Sequence, residues 1–122
     1  MHSLLFYIRK LRCNVVQTLF EEIEKGQARG FLSTVTLTEL KYLYTKRFGE
    51  KEADIRLQPI LTSDLTIIPV TITIALTAGS IKKAGISVAD AIIAATALEM
   101  SAIVVTGDKH FSEMGIDVKN YL

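Results

Sequence analysis

A chain of 122 residues, 49% hydrophobic and 22% charged, has the size of one domain and enough apolar material for a core, which excludes a disordered segment or a stapled mini-domain. The formal net charge of +1 provides no global drive toward nucleic acid, although a local basic stripe can bind phosphates on a neutral domain. Cys13 is the one cysteine, so an internal disulfide is excluded and a reducing cytoplasm is the expected compartment. No run reaches the roughly 18 apolar residues of a membrane span. The short apolar patch before Arg9, Lys10 and Arg12 has the wrong order and length for a secretory signal.

In chain order, Leu4, Leu5, Ile8 and Leu11 share a helical face, with Arg9, Lys10 and Arg12 mostly opposite. Residues 3–12 are therefore expected to form an amphipathic helix. A second helix is expected over residues 15–25, with Asn14 as N-cap and Gly26 beyond its end. Gly30 introduces a short strand over residues 31–35. Thr36, Leu37, Thr38 and Glu39 have capping-box spacing and open a helix to about Phe48, where Gly49 stops it. Residues 50–61 form a further helix whose last turn Pro59 weakens. A strand over residues 65–70 ends at Pro69, a residue tolerated at a sheet edge or exit. Residues 72–83 are helical, closed by Lys82 and Lys83 at the negative end of the dipole.

The stretch 87–111 carries the strongest pattern. Ser87 caps a helix with Asp90 three residues on, and the alanine-rich run to Met100 implies close packing on a sheet. Ala102, Ile103, Val104 and Val105 then form a buried parallel strand released at Thr106, Gly107 and Asp108. Residues 116–121 form a short last strand. Strands separated by helices give an α/β fold, a parallel sheet with right-handed crossovers. Its site lies beyond the carboxyl ends of the strands.

Glu39, Asp90 and Asp108 should all approach that edge. Glu39 follows one strand, Asp108 another, and Asp90 starts the helix that runs back against the second. Crowded carboxylates repel unless a cation neutralises them, and hard oxygen ligands with few histidines favour Mg²⁺ or Mn²⁺ over zinc. Each residue alone has a structural explanation. Glu39 and Asp90 both fit the third position of capping boxes, and Asp108 suits a turn. Thr106 is commonly just a strand-end residue, and His2 and His110 have no zinc-type partner at close spacing.

The segments TVTLTEL, ISVADAIIAATALEM and VVTGDKHF resemble the PIN-domain family, in particular its small VapC-like toxins, over nearly the whole chain. The resemblance implies a three-layer α/β/α fold in a single domain over residues 1–122, with a short parallel sheet flanked by helices. It implies a metal-dependent endoribonuclease, the toxin of a toxin–antitoxin pair. Glu39, Asp90 and Asp108 would be ligands for Mg²⁺ or Mn²⁺, with Thr106 a supporting polar group in the catalytic set. A cognate antitoxin and a homodimer are the implied protein partners, RNA the substrate. The family pattern also opens with an apolar strand ending in Asp. Taken with a helix over residues 3–12, this places that strand and its Asp upstream of Met1 and leaves a gap at the centre of the sheet. The alternative is a non-catalytic or degenerate PIN-like RNA- or protein-binding module. A phospho-acceptor receiver domain is disfavoured, because no strand ends in the acidic pair and separate acceptor Asp of that chemistry.

Overall fold

Leu4, Leu5, Phe6, Tyr7 and Ile8 are all buried, and they divide between two faces. Leu4, Phe6 and Ile8 join one apolar cluster, while Leu5 and Tyr7 join another. That alternation is the period of a strand with both faces covered. In the computed structural model, which describes residues 2–8, 14–107, 111 and 114–120, this segment is β1 (His2–Tyr7). The helix expected over residues 3–12 is thereby corrected. A short continuous apolar run fits a buried strand as well as a helix face, and packing on both sides decides between them. Residues 9–13, the remainder of that expected helix, lie outside the described residues.

The other elements follow as α1 (Asn14–Glu24), β2 (Ala28–Ser33), α2 (Thr34–Phe48), α3 (Glu50–Leu61), β3 (Thr66–Ile68), α4 (Ile72–Ile81), α5 (Val88–Met100), β4 (Ile103–Thr106) and β5 (Val118–Asn120). The five described strands form one sheet in the order β3-β2-β1-β4-β5, and every pairing is parallel. The centre of the sheet is filled by β1, so it has no gap where the sequence led us to expect one.

Helices cover both faces. Leu19 and Phe20 of α1, Leu40 of α2 and Leu57 and Ile60 of α3 pack against Leu4, Phe6 and Leu32. On the opposite face, Ile93, Ala94 and Ala97 of α5 pack against Leu5, Tyr7 and Val104. A second row of α5, Ala91 and Ala95, meets Ile74 and Ala78 of α4. The small residues allow that close helix pair, and Leu98 is left on the exposed side. Gly30 in β2 has a comparable use, since a Cβ there would stand 2.5 Å from Ile23 Cδ1 of α1. The result is the expected three-layer α/β/α arrangement.

The start of α2 differs from the sequence-based expectation. Ser33 is its N-cap, its hydroxyl accepting from the Val35 N–H at 3.1 Å. The helix thus opens two residues ahead of Thr36, and β2 ends at Ser33 instead of running to Val35. Gly49, at φ 88°, stops α2 as expected, in a conformation that L side chains rarely adopt.

Candidate active site at the carboxyl ends of β1 and β4

From β1 the chain moves outward through β2 to β3, then crosses back to β4 on the other side of β1. The direction of winding reverses between β1 and β4, and an open parallel sheet binds ligands outside the carboxyl ends at such a switch point. The two strands end together, with Tyr7 paired to Thr106 in register. Both are buried, as is Ser33 at the end of the neighbouring β2. The crevice floor is therefore a row of hydroxyl-bearing side chains at the ends of three adjacent strands.

Glu39 enters this crevice from α2. Because the helix is capped by Ser33, Glu39 lies in its second turn and is not a capping-box residue, so the structural explanation that the sequence allowed for it is removed. The side chain is half-buried, and the Tyr7 hydroxyl donates to Glu39 Oε1 at 2.8 Å. Thr36 precedes Glu39 by three residues and shares its side of the helix. It is fully buried, and its Oγ1 has no hydrogen-bond partner among the described residues.

Asp90 comes from α5. The expected cap is present: Ser87 Oγ accepts from the Asp90 N–H at 3.0 Å, and the carboxylate in the first turn suits the positive end of the dipole. Asp90 is half-buried and lies three and four residues before Ile93 and Ala94, whose side chains pack with Tyr7. That spacing turns it toward the β1 side of the helix. The N-terminal ends of α2 and α5 both follow strand ends or face them, and the two helices touch.

The structure thus joins Glu39 directly to Tyr7, sets Tyr7 beside Thr106, and puts Asp90 on the helix face above them. Asp108 lies outside the described residues, as does His110. Among the described residues no three acidic, histidine or cysteine side chains cluster as ligands. The donors that are described, two half-buried carboxylates and several hydroxyls, fit a hard cation held by one or two carboxylates and water, as Mg²⁺ commonly is.

Tyr7 is the residue that sequence reasoning missed. The carboxyl end of the central strand was expected to carry an Asp upstream of Met1; in the structure that end is Tyr7, a neutral phenol. A strand reading of residues 4–8 would have found it, as the polar-tipped residue within an apolar run.

A doubly wound parallel sheet with acidic side chains beside its switch point defines an α/β domain with a ligand site at the strand ends. A family model described as PIN domain matches residues 14–117, and the chain belongs to the PIN-domain family. The matched span begins after β1 and ends before β5, so the strand carrying Tyr7 lies outside it. No curated protein matches the chain.

Solved structures agree on the fold. A chain of VapBC2 from Rickettsia felis bound to a promoter DNA fragment superposes with a TM-score of 0.80 at 20% identity, covering 98% of this chain and 99% of that one. A chain of DNA-bound VapBC from Salmonella typhimurium gives 0.78 at 18% identity, with 100% of both chains covered. FitAcB from Neisseria gonorrhoeae gives 0.69 at 22% identity, over 97% of this chain and 96% of that one.

Proposed function

We propose that this protein is a metal-dependent endoribonuclease, the toxin of a toxin–antitoxin pair, with Glu39, Asp90 and Asp108 as carboxylate ligands for Mg²⁺ or Mn²⁺ and Thr106 supporting them. The observation that carries the proposal is Glu39, a half-buried carboxylate with no capping role, held at the switch point between β1 and β4. Membership of the PIN-domain family supports a nuclease in general.

A cation held by these carboxylates would supply an activated water and charge stabilisation for in-line displacement at a phosphodiester. The chain's own groups do the rest. Glu39 and Asp90 reach the crevice from helices on opposite faces of the sheet and set its negative charge. Tyr7 fixes one oxygen of Glu39. Tyr7, Ser33 and Thr106, all buried at the ends of three adjacent strands, place hydroxyls beside the carboxylates. The amino ends of α2 and α5 present N–H groups and positive dipole ends where a phosphate would lie.

For partners, we propose an antitoxin and a second copy of this chain, with RNA as substrate and the cytoplasm as compartment. Ile72 and Leu76, one turn apart on α4, and Val88 at the start of α5 are exposed at 81%, 70% and 63%. Large apolar side chains in that position are what a protein partner covers. No helix among the described residues is long and apolar enough to cross a membrane.

The test is cleavage of end-labelled RNA by the purified chain with Mg²⁺ or Mn²⁺. Cleavage that a chelator abolishes, and that Glu39→Gln, Asp90→Asn and Asp108→Asn each reduce by about a hundredfold or more, is the expected result. Absence of cleavage with either metal, or full activity in all three variants, overturns the proposal. The second reading, a non-catalytic binding module, is favoured by one observation: the neutral Tyr7 at the end of the central strand. Calorimetry showing retained RNA or antitoxin binding without divalent-ion binding would select it.

A further inference from the structure

We infer that Tyr7 is a positioning residue for Glu39, through which the central strand orients the carboxylate toward a divalent cation; this rests on the proposed role of Glu39 as a ligand. Three observations support it. First, Tyr7 is fixed: it is 6% exposed, in register with Thr106, and packed edge-on against Phe111 at 5.6 Å and 88°. The ring that carries its hydroxyl is therefore held in place. Second, the hydroxyl donates to Glu39 Oε1 at 2.8 Å across 32 residues of sequence, the ordinary length of an O–H···O hydrogen bond. Third, the donor is neutral and engages one carboxylate oxygen, so it restricts the side chain without cancelling its charge.

A glutamate has three rotatable bonds between backbone and carboxylate, and freezing them costs free energy whenever a ligand binds. A phenol built into the central strand meets that cost during folding. Hydrogen-bonding partners of metal-binding carboxylates act in this way, orienting a ligand that they do not replace. The buried Thr36 Oγ1, three residues away on the same side of α2 and lacking a partner among the described residues, marks a further polar position on that side of the helix.

The test is Mn²⁺ binding by the full chain, measured by calorimetry, for the unaltered protein, Tyr7→Phe, Glu39→Gln and the double variant. Tyr7→Phe removes the hydroxyl alone and is expected to weaken Mn²⁺ by about 10–100-fold, with the circular-dichroism spectrum unchanged. If Tyr7 acts through Glu39, the same substitution in the Glu39→Gln background changes nothing further. Unchanged or tighter binding in Tyr7→Phe, while Glu39→Gln loses affinity, overturns the role of Tyr7 and leaves Glu39 as a ligand. No Mn²⁺ binding by the unaltered chain, or equal binding in Glu39→Gln, overturns the ligand reading itself. A measurement that needs no folded variant is the ring ¹³C resonance of Tyr7 in the unaltered protein: it is expected to shift on Mg²⁺ titration, and a resonance that stays put overturns the inference.

Discussion

Phe6→Ala distinguishes a central strand from a surface helix at a single residue. Phe6 is fully buried, its ring centroid 4.9 Å from that of Phe20 in α1 at an interplanar angle of 44°, in the cluster that also holds Leu4, Leu32 and Leu40. Truncating such a side chain removes its burial and leaves a cavity in a close-packed layer, at a cost of about 3–5 kcal/mol. If residues 3–12 formed a helix with Leu4, Leu5, Ile8 and Leu11 inward, Phe6 would lie off that face and its loss would stay within about 0.5 kcal/mol. Against a total stability of about 5–15 kcal/mol, the strand predicts loss of a large share. The assay is urea unfolding followed by far-ultraviolet circular dichroism. The midpoint should fall with the slope unchanged, because the same surface is exposed on unfolding. Leu5→Ala, on the opposite face of the strand, should cost about 2–5 kcal/mol. A loss below about 1 kcal/mol for Phe6→Ala would refute the placement of β1.

Ser87→Ala removes the hydroxyl that accepts from the Asp90 N–H and should cost about 1 kcal/mol in the same assay; no change would mean that α5 starts elsewhere. Ile72→Glu with Leu76→Glu places two charges on the exposed apolar stripe of α4. The unaltered chain should elute as a dimer and the double variant as a monomer by light scattering, and equal masses would place the contact on another surface. Partial burial raises the Tyr44 phenol above its ordinary value of 10.0, while the Arg56 guanidinium pulls it down. The folded state then holds this proton more tightly than the unfolded chain, so the contribution is present below about pH 10 and is lost as pH rises through the folded value. Tyr44→Phe should therefore make stability fall less steeply in that alkaline window, and parallel curves would rule the linkage out.

Elements bounded by strong local signals were legible in the sequence. Residues 50–61 were expected as a helix, and α3 has those bounds, because Gly49 and the turn after Leu61 are unambiguous even with Pro59 inside. The Ser87 cap and the alanine-rich α5 were equally clear, since Ala91, Ala94, Ala95 and Ala97 leave too little side-chain volume for anything but close helix packing. The first ten residues were not legible. Periodicity alone assigns LLFYI to either class, and the deciding fact is tertiary: β2 and β4 flank it, with helices covering both faces. The start of α2 failed for another reason. Ser33, Thr34, Thr36 and Thr38 all offer cap chemistry, and the pairing of β2 with β3 up to Ser33 selects the first of them.

For the site, the three-residue shift of the cap from Thr36 to Ser33 changes what the sequence can mean. With Thr36 as cap, Glu39 would complete a capping box and need no further role. With Ser33 as cap, the carboxylate is released from the helix end and turned toward the strand ends, where Tyr7 holds it. Asp90 underwent no such change: its cap is present, so its structural role and its proposed ligand role coexist, the N–H serving the helix while the carboxylate remains available on the side of Ile93 and Ala94. The two acids are thus supported by unequal arguments, Glu39 by an exclusion of the alternative and Asp90 by position alone. Tyr7 links the two errors of the sequence reading. Placing β1 upstream hid the residue that ends it, and misplacing the cap hid the carboxylate that this residue binds. Only when both corrections are made does a tyrosine 32 residues away become the contact through which the central strand positions the acid.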